Sequence, residues 1–233
     1  MSRLRGPLVL AGNVMLALVV ATACGGGGGD DDGGEPAKFD GKKVLADASA
    51  AMGRLKSVGV TLSTQNKPPI MVQGGDIKLL KSGDAEGTLT IEQSGQAVEM
   101  KLVAAGDSVY LNAGTGGWRK TPRAAAAMLY DPSAVLDPSR GIPKLLTSAV
   151  SPTAEAEEKV DGKDAYRVRA TLGQDDLARI VPGINSDVDG QVWVSKADQR
   201  VLKVKGNVPK GGKGSVVITF DEFDAPYKIS APK

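Results

Sequence analysis

The 233-residue sequence contains no histidine and a single cysteine, Cys24, and its aromatic side chains amount to 4% of residues. Without histidine there is no histidine-based triad, no imidazole metal ligand and no general base of the commonest kind. One cysteine cannot form an internal disulfide, so stability rests on packing. No Gly-x-Ser-x-Gly elbow marks a hydrolase nucleophile. The glycine run Gly25–Gly29 follows no strand and precedes no Lys-Ser/Thr pair, which excludes a phosphate loop. These absences argue against an enzyme and leave no cofactor or metal site to name. Few aromatics beside plentiful Val, Leu, Ala and Ile make the buried surface aliphatic. Such a lining suits acyl chains better than sugars or nucleobases, which favour aromatic platforms.

Long hydrophobic runs are also missing. The longest begins at Val14 and ends at Val20, short of the ~20 residues that span a bilayer. Arg3 and Arg5 precede it, and Ala21-Thr22-Ala23 and Cys24 follow. A basic start, a short apolar stretch and small residues read as a secretory signal. A cysteine directly after that site predicts a lipoprotein leader over residues 1–23, with diacylglycerol on Cys24. Position 21 is alanine where leucine is usual, so an ordinary leader cut at Ala23 is the alternative. Residues 24–38 are rich in glycine and aspartate, with nothing apolar to bury, and read as a disordered tether. Gly-rich chain statistics give it a reach of about 20 Å. The expected location is the outer face of the cell membrane, lipid-anchored, in a periplasm-like envelope space.

Charge of one sign is lacking as well. The chain carries 29 Lys+Arg and 27 Asp+Glu, which become 27 against 27 once Arg3 and Arg5 leave with the leader. A mixed surface of this kind is no basic stripe, and no nucleic-acid partner is expected.

Residues 39–233 read as one domain. Val44, Leu45, Ala48, Met52 and Leu55 recur at helical spacing behind Asp40, a candidate N-cap. Alternation then takes over, in Val58–Leu62, Gly87–Gln93, Ala97–Ala104 and Asp107–Asn112, with Ser94-Gly95-Gln96 and Gly106-Asp107 as turns. Thr121-Pro122 predicts the start of a helix over Arg123–Leu129, and prolines 132, 138 and 143 punctuate short helical pieces beyond it. Tyr166–Leu172, Gln191–Ser195, Val201–Lys205 and Ser215–Phe220 read as further strands, with a short helix from Asp175-Asp176 to Val181. Strands apolar on one side only predict an antiparallel meander with one wet face, its apolar face covered by the segments 40–55 and 121–150.

Gly106-Asp107-Ser108-Val109-Tyr110, Gly117-Trp118-Arg119-Lys120, Asp131-Pro132, Gly141-Ile142-Pro143, Val192-Trp193-Val194 and Phe220-Asp221-Glu222-Phe223 follow one another in an order that, behind such a leader, resembles the LppX/LprAFG family of mycobacterial and related actinobacterial cell-envelope lipoproteins. The resemblance runs from about residue 37 to 232. It implies an α+β fold: a strongly curved antiparallel half-barrel, Lol-carrier-like, with helices over its concave face and a large apolar cavity between. It also implies cargo, multi-acyl lipids or glycolipids, carried across the envelope. The partners would be the plasma membrane, through the anchor, and an envelope lipid exporter. The alternative is a structural or signalling envelope lipoprotein with a filled core and protein partners.

Candidate lining residues on the strands are Val60, Leu62, Leu89, Ile91, Met100, Leu102, Val109 and Leu111. From the covering side they are Met128, Leu129, Leu145, Leu146, Ile180, Val181 and Ile184. Each is equally suited to ordinary core packing, and alternation alone does not separate the two roles. Trp118 and Trp193 read as packing residues, Lys42-Lys43 as a solvated helix face, and Asp175-Asp176 with Asp187 and Asp189 as helix starts and turns.

Overall fold

Asp40 starts the fold. Its carboxylate accepts from the backbone amides of Lys42 and Lys43 at 2.9 and 3.2 Å, capping helix α1, Gly41–Met52. The computed structural model describes residues 37–114, 116–127, 131–181, 184–208 and 214–233. Cys24, the leader, the tether up to residue 36, Met128 and Leu129 lie outside the described residues.

Eleven strands follow among the described residues. The first six are β1 (Ser57–Gln65), β2 (Val72–Leu80), β3 (Ala85–Gln93), β4 (Gln96–Ala105), β5 (Ser108–Asn112) and β6 (Arg119–Pro122). A connection holds α2 (Arg123–Ala126), a 3-10 turn at Pro132–Ala134 and α3 (Ile142–Ser148). The chain returns through β7 (Val150–Val160), β8 (Lys163–Leu172), α4 (Gln174–Leu177), β9 (Val188–Ser195), β10 (Val201–Asn207) and β11 (Ser215–Asp221). All pair antiparallel in one open sheet, ordered β6-β5-β4-β3-β2-β1-β11-β10-β9-β8-β7. Each half of the chain is thus its own meander, or wing, and the two are sewn together where Val60 faces Phe220 and Leu62 faces Ile218. The outer strands leave two edges, β6 and β7. Pro122 and Pro152, with register shifts in β7, leave those edges poorly suited to further pairing.

The apolar face of the sheet is covered at one end. Leu45, Ala48 and Met52 of α1, with Leu136, Ile142 and Leu146 of the connection, pack on Val58, Leu79 and Val109 of one wing and Val168, Val192 and Val194 of the other. Each fully buried aliphatic side chain of this kind contributes roughly 1.5–3 kcal/mol by leaving water. A second cluster gathers Leu145, Leu172, Leu177, Val181, Ile184 and Val188 beneath α4. There Ser148 Oγ donates to Asp176 Oδ2 at 2.5 Å and joins α3 to α4. A third cluster, Val160, Ala165, Trp193 and Leu202, lies on the opposite face of the sheet.

The structure adds three strands to the expected set: β2, β6 and β7. β2 is interrupted by Gly74-Gly75, and β7 has a proline near its start, charges over residues 155–159 and few large apolar residues, so neither shows the apolar alternation on which the expectation rested. Thr121 and Pro122 belong to β6 rather than to a helix, and Pro122 offers α2 no side-chain cap.

Candidate functional site

Strand register sorts the inner face of the N-terminal wing into rows. Val109, Ala104, Ala85, Leu79 and Val58 form the row beneath the cover, and all are buried. The next row reads Leu111, Leu102, Gly87, Ile77, Val60, and the one beyond it Met100, Leu89, Gly75, Leu62. A last pair, Ile91 and Val98, stands near the hairpin tips. The side chains of these outer rows are half-buried. Burial therefore falls along the inner face of these strands, from the buried row of Val58 to half-buried Ile91 and Val98.

This gradient is the site's main property. From Val58 to Val98 the inner positions of these rows are aliphatic, alanine or glycine, with no charge among them. The helices bury the first row fully, while the second row packs against the first cluster, and Leu62 against the second cluster, only half-buried. Water meets the rest, an unfavourable exposure of roughly 25 cal/mol per Å² that any apolar guest would relieve. Two glycines shape the surface. At Gly87 a Cβ would lie 2.8 Å from Ile77 Cα, and at Gly75 one would lie 2.8 Å from Leu89 Cδ2. Only glycine permits strands β2 and β3 to approach so closely there.

The candidate residues divide accordingly. Val60, Leu62, Leu89, Ile91, Met100, Leu102 and Leu111 share the half-open stripe, and Ile180 is half-buried on the covering side. Val109, Leu145, Leu146, Val181 and Ile184 are buried in the clusters. Ile77 and Val98 belong to the stripe and were not among the candidates. Ile77 escapes notice because two glycines, Gly74 and Gly75, interrupt its strand just before it.

A small, partly open apolar pocket of about 30 Å³, lined by Leu172, Leu177, Val181, Ile184, Val188 and Val216 among others, lies under α4. It is far too small for an acyl chain, and its lining is apolar. The resemblance implies a large apolar cavity; what the described residues carry is this small void and the half-covered stripe.

The opposite face is polar. Arg167 bridges Glu155 and Glu158 at 3.0 and 3.1 Å. Trp193 donates its indole N–H to Glu158 and lies 3.9 Å beneath Lys203 Nζ. Further along, an open cleft of about 450 Å³ is lined by Lys78, Glu86, Lys101 and Trp118 among others. Trp118 thus borders a cleft, whereas Trp193 packs.

Three of the four aspartates read from the sequence as helix starts and turns have structural partners. Asp187 accepts from the Gln174 amide at 2.9 Å, Asp176 pairs with Arg179 at 3.0 Å, and Asp189 accepts from Thr171 Oγ1 at 2.7 Å. Lys43 pairs with Asp47 at 2.6 Å on the exposed side of α1. Among the described residues no group of three or more acidic, histidine or cysteine side chains could hold a metal ion. None of the helices among them is long and apolar enough to cross a membrane.

Comparisons with known proteins agree with this architecture. The family model LppX_LprAFG lipoprotein matches residues 40–229. A relative from Mycolicibacterium smegmatis, named lipoarabinomannan carrier protein LprG, is 28% identical over 199 residues, covering 83% of each chain. The crystal structure of LprF from Mycobacterium bovis superposes with a TM-score of 0.74 at 20% identity, over 85% of this chain and 99% of that one. LppX from Mycobacterium tuberculosis gives 0.60 at 19% identity, over 81% and 98%. These two likenesses establish the fold.

Proposed function

Because the chain belongs to the LppX_LprAFG lipoprotein family, we propose that it is a non-enzymatic carrier of acyl lipids or glycolipids. The hydrocarbon tails lie along the inner stripe, against Leu62, Leu89, Met100 and Leu102, with the polar headgroup toward the open end near Met71. Transfer of hydrocarbon from water drives binding, at roughly 0.8 kcal/mol per buried CH₂. The carrier takes the lipid from the plasma membrane, shields its tails in transit and releases it to an envelope partner such as a lipid exporter.

The observation that carries this reading is the set of uncharged, half-buried side chains at and beyond the edge of the cover. The name of the LprG relative, a lipoarabinomannan carrier, supports a lipoglycan or glycolipid as cargo. In this reading Cys24 bears the diacylglycerol, and the following glycine- and aspartate-rich residues tether the carrier to the outer face of the membrane. Two or more acyl chains are needed for stable anchoring.

A transfer assay tests the proposal. Donor vesicles hold a fluorescent diacyl lipid with quencher, and acceptor vesicles hold neither. The full chain should speed dequenching in proportion to its concentration, and Cys24→Ala should leave lipid binding intact while releasing the protein from the membrane fraction. A transfer rate equal to that without protein would refute the carrier role.

A further inference from the structure

The outer-face cleft lies behind the same strands that carry the apolar stripe, and it has the opposite character. Its floor is the outer side of β1 to β4. Lys78 and Glu86 stand opposite each other in one row, and Asp76, Thr88 and Lys101 in the next. One side is bounded by Trp118, which precedes β6 and is half-exposed. Beside the cleft the C-terminal tail brings Tyr227, whose ring lies 5.5 Å from Lys78 Nζ and whose hydroxyl donates to Glu222, a lining residue, at 2.7 Å. Burial, then that acidic neighbour, raises the Tyr227 phenol above its ordinary value, which keeps it protonated as a donor.

We infer that this cleft is a second binding site, for the neutral, hydroxyl-rich chain of a carbohydrate. Three observations converge. The volume of about 450 Å³ falls in the range of roughly 300–1,000 Å³ typical of small-ligand sites. The indole of Trp118 provides a flat apolar surface for the C–H face of a sugar ring, in a protein poor in such surfaces. The lining alternates donors and acceptors across strands spaced roughly 4.8 Å apart, close to the length of one sugar ring. Thr61 Oγ1 donating to Asp76 at 2.6 Å and the Lys78–Glu86 pair at 3.8 Å hold these groups in place without covering them.

Charge selects the ligand class. Four carboxylates, Asp76, Glu86, Asp221 and Glu222, face two ammonium groups, Lys78 and Lys101. The excess of negative charge repels phosphates, sulfates and nucleic acid. The mixture of both signs suits hydroxyl groups, which both donate and accept. The inference stands apart from the lipid reading, since the stripe lies on the other side of the sheet. The same chemistry is offered by a wall polysaccharide and by the glycan of a lipid headgroup.

The test is a titration of the full chain with mannotetraose, maltotetraose and spermidine, followed by calorimetry and tryptophan fluorescence. At least one tetrasaccharide should saturate. Trp118→Ala should weaken it by about tenfold, Trp118→Phe should restore most of the loss, and Lys101→Ala should weaken it several-fold with the fold unaltered by circular dichroism. Binding of a fluorescent acyl probe should be unchanged in all three variants. Vesicles carrying a diacyl mannoside separate the sources: affinity equal to the free sugar assigns a polysaccharide chain, and tighter Trp118-dependent binding assigns a headgroup. The inference is overturned if neither sugar binds, if only spermidine binds, or if Trp118→Ala binds sugar as the parent does.

Discussion

Leu62 of β1 and Leu89 of β3 are both registered against Gly75 of β2, so the two side chains flank a position that has none. On an ordinary sheet a side chain would stand between them. Here Leu89 leans over the vacant position, its Cδ2 2.8 Å from where a Cβ would stand, and a shallow apolar trough, half-open to water, runs across three strands at the edge of the cover. The functional account depends on that trough being filled by hydrocarbon from elsewhere.

Stability should separate trough from core. Leu136, 2% exposed in the first cluster, should cost roughly 2–5 kcal/mol when changed to alanine. Leu89→Ala, at a half-buried position, should cost less than about 1.5 kcal/mol, because part of its surface is already wet. Urea denaturation of the lipid-free protein measures both. Equal losses would mean that Leu89 is core.

Alternation made α1 and most of the sheet legible in the sequence, because Val44, Leu45, Ala48 and Met52 keep helical spacing, and Leu89 and Ile91 keep strand spacing. It could not distinguish Val109 from Leu111. Both point inward on the same strand, yet Val109 is buried and Leu111 half-exposed, since the helices end between their rows. That boundary depends on where the connection from Asp131 to Ser148 crosses the sheet, a tertiary fact absent from local pattern. β2 was hidden by Gly74-Gly75, the second of which also opens the trough. A bulky substitution at Val109 would test packing, and Leu89 is the better probe of cargo.

Charge placed in the trough should abolish binding without unfolding. Leu89→Lys and Met100→Lys each put an ammonium group where hydrocarbon is proposed to lie, and an unpaired charge there costs several kcal/mol. Affinity for a fluorescent acyl probe should fall by at least about tenfold, which corresponds to ~1.4 kcal/mol. Thr90→Lys, on the outer side of the same strand, should bind as the parent does. Equal loss from Thr90→Lys would indicate a general effect on the sheet.

Acid should loosen the connection that carries the cover. Asp137 accepts from the hydroxyl and amide of Ser139 at 2.7 and 2.8 Å and from Arg140 at 3.0 Å. These partners, Ser139 first, lower its carboxyl to about 2. A depressed carboxyl stabilises the fold above its unfolded value of about 3.9, and the contribution disappears as pH falls through the folded value. Melting temperatures of the parent and Asp137→Asn should therefore differ above pH 4 and converge toward pH 2. A constant difference across that range would show that the ionised group contributes nothing.

The most direct test is native mass spectrometry of the full chain taken from the membranes of its own host in mild detergent. The account predicts about one acyl lipid or glycolipid bound non-covalently per chain, with Leu89→Lys carrying little or none. Parent protein that is folded and empty, or Leu89→Lys carrying the same lipid load, would contradict it.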